Sequence, residues 1–402
     1  MKPLEGIHVL DFTWVGVGPM TTRYLADFGA TVVKIESSTR LDTLRRGGPF
    51  KDNKPGVNRS GYFTNYNCNK LSVAINMATP KGRDLARRLV PWADVVAENF
   101  TAGQMEKWGL GYDDLRRIKP DIIMLSACMF GRGGPYSTHP GFGPMLTALT
   151  GFTYLTGWPD RDPTGPYGAY TDFIVPRFAA AFLLSALDLR RRTGQGMHLD
   201  MSQLEAGIHL LTPAFLDYFA NGRIMERKGN QDSAAVPNGV YPCQGEDRWV
   251  ALACWRPQHW EGLRQAMGNP LWTQDPRFAT FLGRKAHEEE LDRYIARWTS
   301  LFPQEGVVER LRTRGVPAAP VHDLPGLFAD PNLSARGYWV PLEHPEIGLQ
   351  HYDGLEFRLS ASPAQFEHPA PLLGQHTREV LHAILGMADD EIDALAAEGV
   401  LK

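Results

Sequence analysis

The sequence predicts an α/β protein in which a doubly wound sheet fills the first half of the chain and a smaller α+β domain follows it. Three observations carry this. At 402 residues the chain exceeds what one ordinary hydrophobic core organises, so two domains are expected. Between Ile7 and Ala127, short apolar runs alternate with segments of helical spacing, the pattern of a mostly parallel sheet with helices on both faces. From Val236 that alternation gives way to a few strands among several amphipathic segments.

In chain order, residues 7–12 form an apolar strand, 13–19 a turn rich in small residues, and 20–28 a helical segment ending at Gly29. Residues 31–36 are a second strand, so the three make a β-α-β unit with a right-handed crossover. The pattern repeats with a strand at 71–76, a helix capped by Thr79-Pro80 and running to Val90, and a strand at 94–97. A helix at 113–118 and an apolar strand at 121–127 complete it. Later, Thr193-Gly194-Gln195-Gly196 reads as a turn, 197–201 as a strand, and Ser202-Gln203-Leu204-Glu205 as a capping box that opens a helix. Residues 218–231 turn polar, and the linker is placed there. The second domain has a strand at 248–254, helices at 257–267, 287–299 and 304–314, and an extended stretch at 316–321. It ends near Asp330, after which 354–359 is strand-like and 377–385 and 390–397 are helical.

Composition narrows the function. Hydrophobic residues make up 43% and charged residues 22%, which is ordinary for a globular enzyme and excludes a largely disordered chain. A net charge of −3, with no basic run beyond Arg190-Arg191-Arg192, argues against a nucleic-acid partner. The start lacks the apolar core of a signal peptide and no uncharged stretch is long enough to span a bilayer, so a cytoplasmic protein without a membrane partner is expected. The four cysteines, Cys68, Cys128, Cys243 and Cys254, form no Cys-x-x-Cys pair and read as reduced thiols. The histidines make no His-Glu-x-x-His motif, and no metal site is expected.

The most informative stretch is Gly165-Pro166-Tyr167-Gly168-Ala169-Tyr170-Thr171-Asp172, which feeds an apolar segment at 173–189. The pattern predicts a long helix with Asp172 at its N-cap and Pro176 in its first turn, where a missing amide does no harm. Asp172 then has two readings. It is a plain cap, or it is a carboxylate kept ionised at a positive helix end and able to attack a carbonyl or thioester. Two other glycine clusters stand out. Gly16-Val17-Gly18-Pro19-Met20-Thr21 sits where a dinucleotide fingerprint would, with Glu36 closing the next strand as a ribose ligand would. Thr21 replaces the third glycine and Pro19 removes an amide, so a tight β-α turn competes with the NAD(P) dehydrogenase reading. Gly131-Arg132-Gly133-Gly134-Pro135 is a flexible loop or a phosphate contact through Arg132.

Several segments together resemble the family III CoA-transferases, the superfamily of formyl-CoA transferase, carnitine CoA-transferase and α-methylacyl-CoA racemase. The resemblance runs from Leu4 to the C-terminus. It rests on Leu4-Glu5-Gly6-Ile7-His8-Val9-Leu10-Asp11-Phe12-Thr13, Leu25-Ala26-Asp27-Phe28-Gly29-Ala30, Val33-Lys34-Ile35-Glu36 and Asn67-Cys68-Asn69-Lys70-Leu71-Ser72. Further matches are Ala93-Asp94-Val95-Val96-Ala97-Glu98-Asn99-Phe100, Gly134-Pro135-Tyr136, Arg192-Thr193-Gly194-Gln195-Gly196 and Leu372-Leu373-Gly374-Gln375-His376-Thr377.

The resemblance implies a Rossmann-like large domain over 1–220, a linker at 221–235, an inserted small domain at 236–330 and a C-terminal segment at 331–402 that returns to the large domain. It also implies an interlocked dimer, of identical chains or with a related one. The function it implies is acyl-CoA:carboxylate CoA transfer, with Asp172 as the nucleophile and aspartyl anhydride and aspartyl-CoA intermediates. No metal or permanently bound cofactor is implied, and CoA enters as substrate. Its contacts would be Gly16, Val17, Arg40, Ile75, Asn76, Met77, Ala78, Asn99, Phe100, Thr101 and Lys107.

Departures from the formyl-CoA transferase branch narrow the substrate. Gly16-Val17 stands where that branch has Gln-Ala, Ser37 replaces a basic residue, and no glycine run follows Gly229-Asn230-Gln231. The chain looks more like the branch that uses succinyl-CoA and aromatic acids, as in benzylsuccinate CoA-transferase, with Trp14, Tyr62, Phe142 and Tyr170 lining an acyl pocket. The rival is racemisation of a 2-methylacyl-CoA, which needs two opposed bases. Phe142 occupies the position of the second base, and His139 lies three residues earlier.

Overall fold

The computed structural model describes residues 2–402. The chain divides into two compact units, one made of Met1–Tyr154, Gly165–Met225 and Gly337–Lys402, the other of Leu155–Thr164 and Glu226–Arg336. The first unit holds a six-stranded sheet of β1 (His8–Asp11), β2 (Thr31–Glu36), β3 (Leu71–Ala74), β4 (Val95–Glu98), β5 (Ile123–Cys128) and β6 (Met197–Ser202). All neighbours are parallel and the order is β3-β2-β1-β4-β5-β6. The sheet is therefore doubly wound, as the sequence predicts, and its direction of winding reverses between β1 and β4.

Burial on both faces explains why these strands read as continuous apolar runs. Alternate residues serve opposite cores. Leu10, Val33, Val73, Val96 and Met124 face one layer, with Leu85 and Leu89 of the Pro80–Leu89 helix and Val380 and Leu381 of the Thr377–Leu385 helix. Val9, Val32, Val95, Ala97 and Ile123 face the other, against Leu25 of the Val17–Asp27 helix and Val175, Ala179 and Leu183 of the Tyr170–Thr193 helix. These last two helices thus share one face of the sheet.

Two local expectations need correction. The long helix begins at Tyr170, so Ala169 is its N-cap and Asp172 is its third residue; Pro176 lies inside the helix. Proline has no amide to give the Asp172 carbonyl one turn back, which leaves that carbonyl outside the helical ladder. The strand expected at 354–359 is absent, and an antiparallel hairpin stands before it, described below with the second unit's strands. The second unit has an antiparallel sheet of β7 (Asn238–Pro242), β8 (Trp249–Ala253) and β9 (Ala318–Val321) over a core that includes Tyr241, Leu263, Leu291 and Val307. The hairpin of the first unit is β10 (Trp339–His344) and β11 (Gly348–Asp353). Pro341 interrupts its sequence pattern yet sits in β10, whose outer edge needs no amide.

After the hairpin, the chain closes the free edge of β3. The Ser72 amide donates to His376 Nδ1 at 3.1 Å and its carbonyl accepts from the His376 amide at 2.9 Å, while the Ala74 amide donates to Thr377 Oγ1 at 2.9 Å. Leu372 to Thr377 thereby blunts an edge that would otherwise pair with another strand. Among the described residues no helix is long and apolar enough to cross a membrane.

Candidate functional site

The loop after β1 crosses the point where the sheet reverses. Its backbone is fixed residue by residue. Asp11 accepts from the Thr13 amide at 2.8 Å, Lys34 donates to the Thr13 carbonyl at 2.5 Å, and Asn99 bonds both the amide and the carbonyl of Trp14. Asp42 accepts from the Val15 amide at 3.1 Å. Val15 needs that restraint, because its φ of 61° is a left-handed conformation that a β-branched residue rarely adopts. Gly16 follows as the N-cap of the Val17–Asp27 helix.

A cavity of about 200 Å³ opens at the carboxyl ends of β1 to β4. Open α/β sheets place ligands in such crevices. Its lining brings together Phe12 and Trp14 after β1, Ser37, Thr39 and Arg40 after β2, Ile75 to Ala78 after β3, and Phe100, Thr101, Gln104 and Trp108 after β4. The aromatic rings form a row. Trp14 meets Phe100 edge-on at 5.5 Å, Phe100 meets Trp108 at 5.3 Å, and the Arg40 guanidinium lies 5.4 Å from the Trp14 ring. Arg40 is exposed and forms no ion pair among the described residues. Flat rings and a free cation suit a heteroaromatic ring carrying phosphate.

Of the residues expected to contact CoA, Arg40, Ile75, Asn76, Met77, Ala78, Phe100 and Thr101 line this cavity. Gly16, Val17, Asn99 and Lys107 lie outside its lining: Val17 is buried, Asn99 holds Trp14, and Lys107 is exposed at the end of the Gln104–Lys107 helix. Gln104 and Trp108 carried no sequence signal. The Glu36 carboxylate, which a ribose would need, is held by Arg45 through two 2.7 Å bonds and by Ser72. Arg132 is likewise engaged, by Glu98 and Glu106.

Asp172 occupies different surroundings. Its half-buried carboxylate has no hydrogen-bond or ion-pair partner among the described residues, and burial pushes its pKa up to about 6. The positive pole of the helix works against that rise, since Asp172 lies in the first turn. Two glycines give it room. A Cβ on Gly143 would stand 2.7 Å from Asp172 Oδ2, and one on Gly16 would stand 3.2 Å from it. Gly143 escaped the sequence reading, although it follows Phe142 directly. Of the four aromatics expected around an acyl group, Trp14 lines the cavity, Tyr62 pairs with Tyr66 at 5.1 Å, Tyr170 in the first turn of the Asp172 helix meets Phe152 edge-on at 5.0 Å, and Phe142, beside Gly143, is exposed.

Comparison with known proteins agrees with this geometry. Residues 4–377 match the model of CoA-transferase family III. The chain is 34% identical over 400 residues to the succinyl-CoA–D-citramalate CoA-transferase of Chloroflexus aurantiacus, covering 100% of this chain and 98% of the relative. It is 32% identical over 406 residues to the β subunit of the succinyl-CoA–L-malate CoA-transferase of the same organism, covering 99% and 98%. A crystal structure of a CaiB/BaiF family protein from Brucella suis superposes with a TM-score of 0.87 at 30% identity, covering 95% of this chain and 99% of that one.

The unpaired carboxylate has a measurable cost to stability. The folded pKa of about 6 lies above the ordinary 3.8, so the folded state is penalised once Asp172 ionises. Asp172→Asn is therefore expected to stabilise the protein by about 1–2 kcal/mol at pH 8 in urea denaturation, after allowing for partial solvation. The gain should shrink as pH falls through about 6 and vanish below about 4. A gain that ignores pH, or none at pH 8, would show that the carboxylate is not desolvated.

Proposed function

The chain belongs to CoA-transferase family III, and on that premise we propose that it transfers CoA from an acyl-CoA donor to a carboxylic acid through covalent intermediates on Asp172. One observation carries the reading: a carboxylate without a hydrogen-bond partner among the described residues, raised to about 6, faces two backbones that have no Cβ. Poor solvation makes such a carboxylate a better nucleophile, and at neutral pH most of it is ionised.

The steps balance without a proton or a redox partner. Asp172 Oδ attacks the thioester carbonyl, the C–S bond breaks, and CoA leaves as thiolate from an acyl-aspartyl anhydride. The thiolate attacks the Asp172 carbonyl, giving an aspartyl-CoA thioester and the free donor acid. The acceptor carboxylate attacks that thioester, a second anhydride forms, and the thiolate takes the acceptor acyl group as Asp172 is regenerated. Water must be kept out, because it would hydrolyse either anhydride. In this reading the cavity takes the nucleotide end of CoA, with the adenine among Trp14, Phe100 and Trp108 and a phosphate at Arg40.

The relatives named above use succinyl-CoA, so succinyl-CoA is the donor proposed here. A short hydroxy-dicarboxylate such as D-citramalate or L-malate, the acids in these relatives' names, is the acceptor proposed in place of an aromatic acid. Racemisation is disfavoured because Phe142, beside the carboxylate's glycine, has no proton to exchange. A two-chain assembly is part of the proposal. Phe182 of the long helix and Leu216, Tyr218 and Phe219 of the Thr212–Asn221 helix are 53–78% exposed, a large apolar surface for a solitary chain.

Two measurements test this. Incubated with succinyl-CoA and a panel of acids, the protein is expected to form the CoA thioester of a short dicarboxylate fastest, with kcat/KM falling about tenfold per pH unit below about 6. Preference for aromatic acids, or a flat profile through that range, would contradict it. Light scattering is expected to give twice the 44.8 kDa chain mass for a homodimer. A mass of one chain at working concentration would remove the assembly from the account.

A further inference from the structure

Arg132 is the cation that the sequence offered as a phosphate contact, and its surroundings give it another task. The run Gly131-Arg132-Gly133-Gly134-Pro135 leaves β5 through Gly131 at φ +72°, which lets the backbone pass close to Asp200 of β6. Asp200 accepts from the Arg132 amide through both oxygens, at 3.0 and 3.1 Å. The guanidinium then reaches back across the end of the sheet. One nitrogen lies 3.2 Å from Glu98 Oε1 at the end of β4, and the other bonds Glu106 in the Gln104–Lys107 helix. Glu98 is fully buried, and its second oxygen accepts from the Phe100 amide at 2.8 Å. Cys128 Sγ, at the end of β5, holds the Phe100 carbonyl at 3.2 Å.

Phe100, Thr101 and Gln104 are one wall of the cavity, and it runs between the two carboxylates of Glu98 and Glu106 that Arg132 holds. Glu98 and Glu106 engage both terminal nitrogens of the guanidinium and Asp200 ties the amide, so Arg132 is committed to this network. We infer that Arg132 is a positioning residue for coenzyme binding, a clamp that sets the Phe100–Gln104 wall by joining Glu98, Glu106 and Asp200. The inference rests on the cavity being the CoA site. Without the cation, the buried Glu98 carboxylate loses its only ion pair among the described residues and takes up a proton, a change for which burial has prepared it by raising its pKa to about 7. The wall then loses its tie to the 131–135 loop, and Glu98 and Glu106 on either side of it lose the cation that joins them.

The test is a kinetic split. Arg132→Ala is expected to raise KM for succinyl-CoA about tenfold, equivalent to about 1.4 kcal/mol, with kcat within about twofold. The same factor is expected with the dephospho-CoA thioester, because a clamp does not sense the 3′-phosphate. Glu106→Gln, at a more exposed position, is expected to raise KM about two- to threefold. It keeps the question open to test should Arg132→Ala fail to fold. The double variant Arg132→Ala, Glu98→Gln should cost no more than Arg132→Ala alone, because the two act through one contact. An unchanged KM, a penalty that disappears with the dephospho donor, or additive losses would each overturn the inference. Calorimetry of wild type with free CoA separates the two readings. No binding to wild type removes the CoA site itself, whereas equal binding to wild type and Arg132→Ala removes only the clamp.

Discussion

The fold turns on the restraint of five residues after β1. Val15 sits at a φ of 61°, and a β-branched residue held there costs on the order of 1–3 kcal/mol unless its surroundings leave no alternative. Those surroundings come from every strand near the reversal of the sheet. Lys34 comes from β2, Asp42 from the loop beyond it, Asn99 from the end of β4 and Asp11 from β1 itself. Lys70, just before β3, joins Asp11 at 3.1 Å in an ion pair closed to water. Burial alone would raise the Asp11 carboxyl, but Lys70, Lys34 and the hydroxyls of Thr13 and Thr22 outweigh it and hold the pKa below the ordinary value. The result is a loop with one conformation, which aims Trp14 into the cavity and Gly16 at Asp172.

That division separates two kinds of buried carboxylate. Asp11, Glu36 and Asp42 each face a lysine or arginine, so their charge is compensated and their work is architectural. Among the described residues Asp172 has no such partner. Its position follows from the sheet: the Val17–Asp27 and Tyr170–Thr193 helices cover the same face, and their first residues meet where Gly16 leaves space for a carboxylate. A cation beside Asp172 would stabilise the fold, and in the proposed mechanism it would also blunt the nucleophile, so the proposal sets some stability against reactivity at this position.

Much of the architecture was legible in the sequence, because a parallel sheet buried on both faces must be written in uninterrupted apolar runs. Thr31–Glu36 was read to the residue, and the caps at Thr79 and Ser202 were readable from local chemistry, each accepting from the amide three residues on. The β10–β11 hairpin was missed because Pro341 and Pro345 mask its alternation. The sequence puts Asp172 at the N-cap, three positions before its place in the helix, since the apolar run begins at Phe173 although the helix begins at Tyr170. The site was legible only in part. Residues that follow a strand, such as Arg40, Ile75 and Phe100, carry the signal of their position, and the family resemblance drew attention to them. Gly143, Gln104 and Trp108 reach the site through tertiary folding, and nothing in their neighbours announces it.

The central claim is that Asp172 forms the covalent bond, and trapping that bond tests it most directly. The protein is incubated with succinyl-CoA alone, quenched with hydroxylamine, digested and read by mass spectrometry. The account predicts a hydroxamate at Asp172 and at no other carboxylate, and none in Asp172→Asn. Modification at a different residue, or full transfer activity in Asp172→Asn, would contradict it.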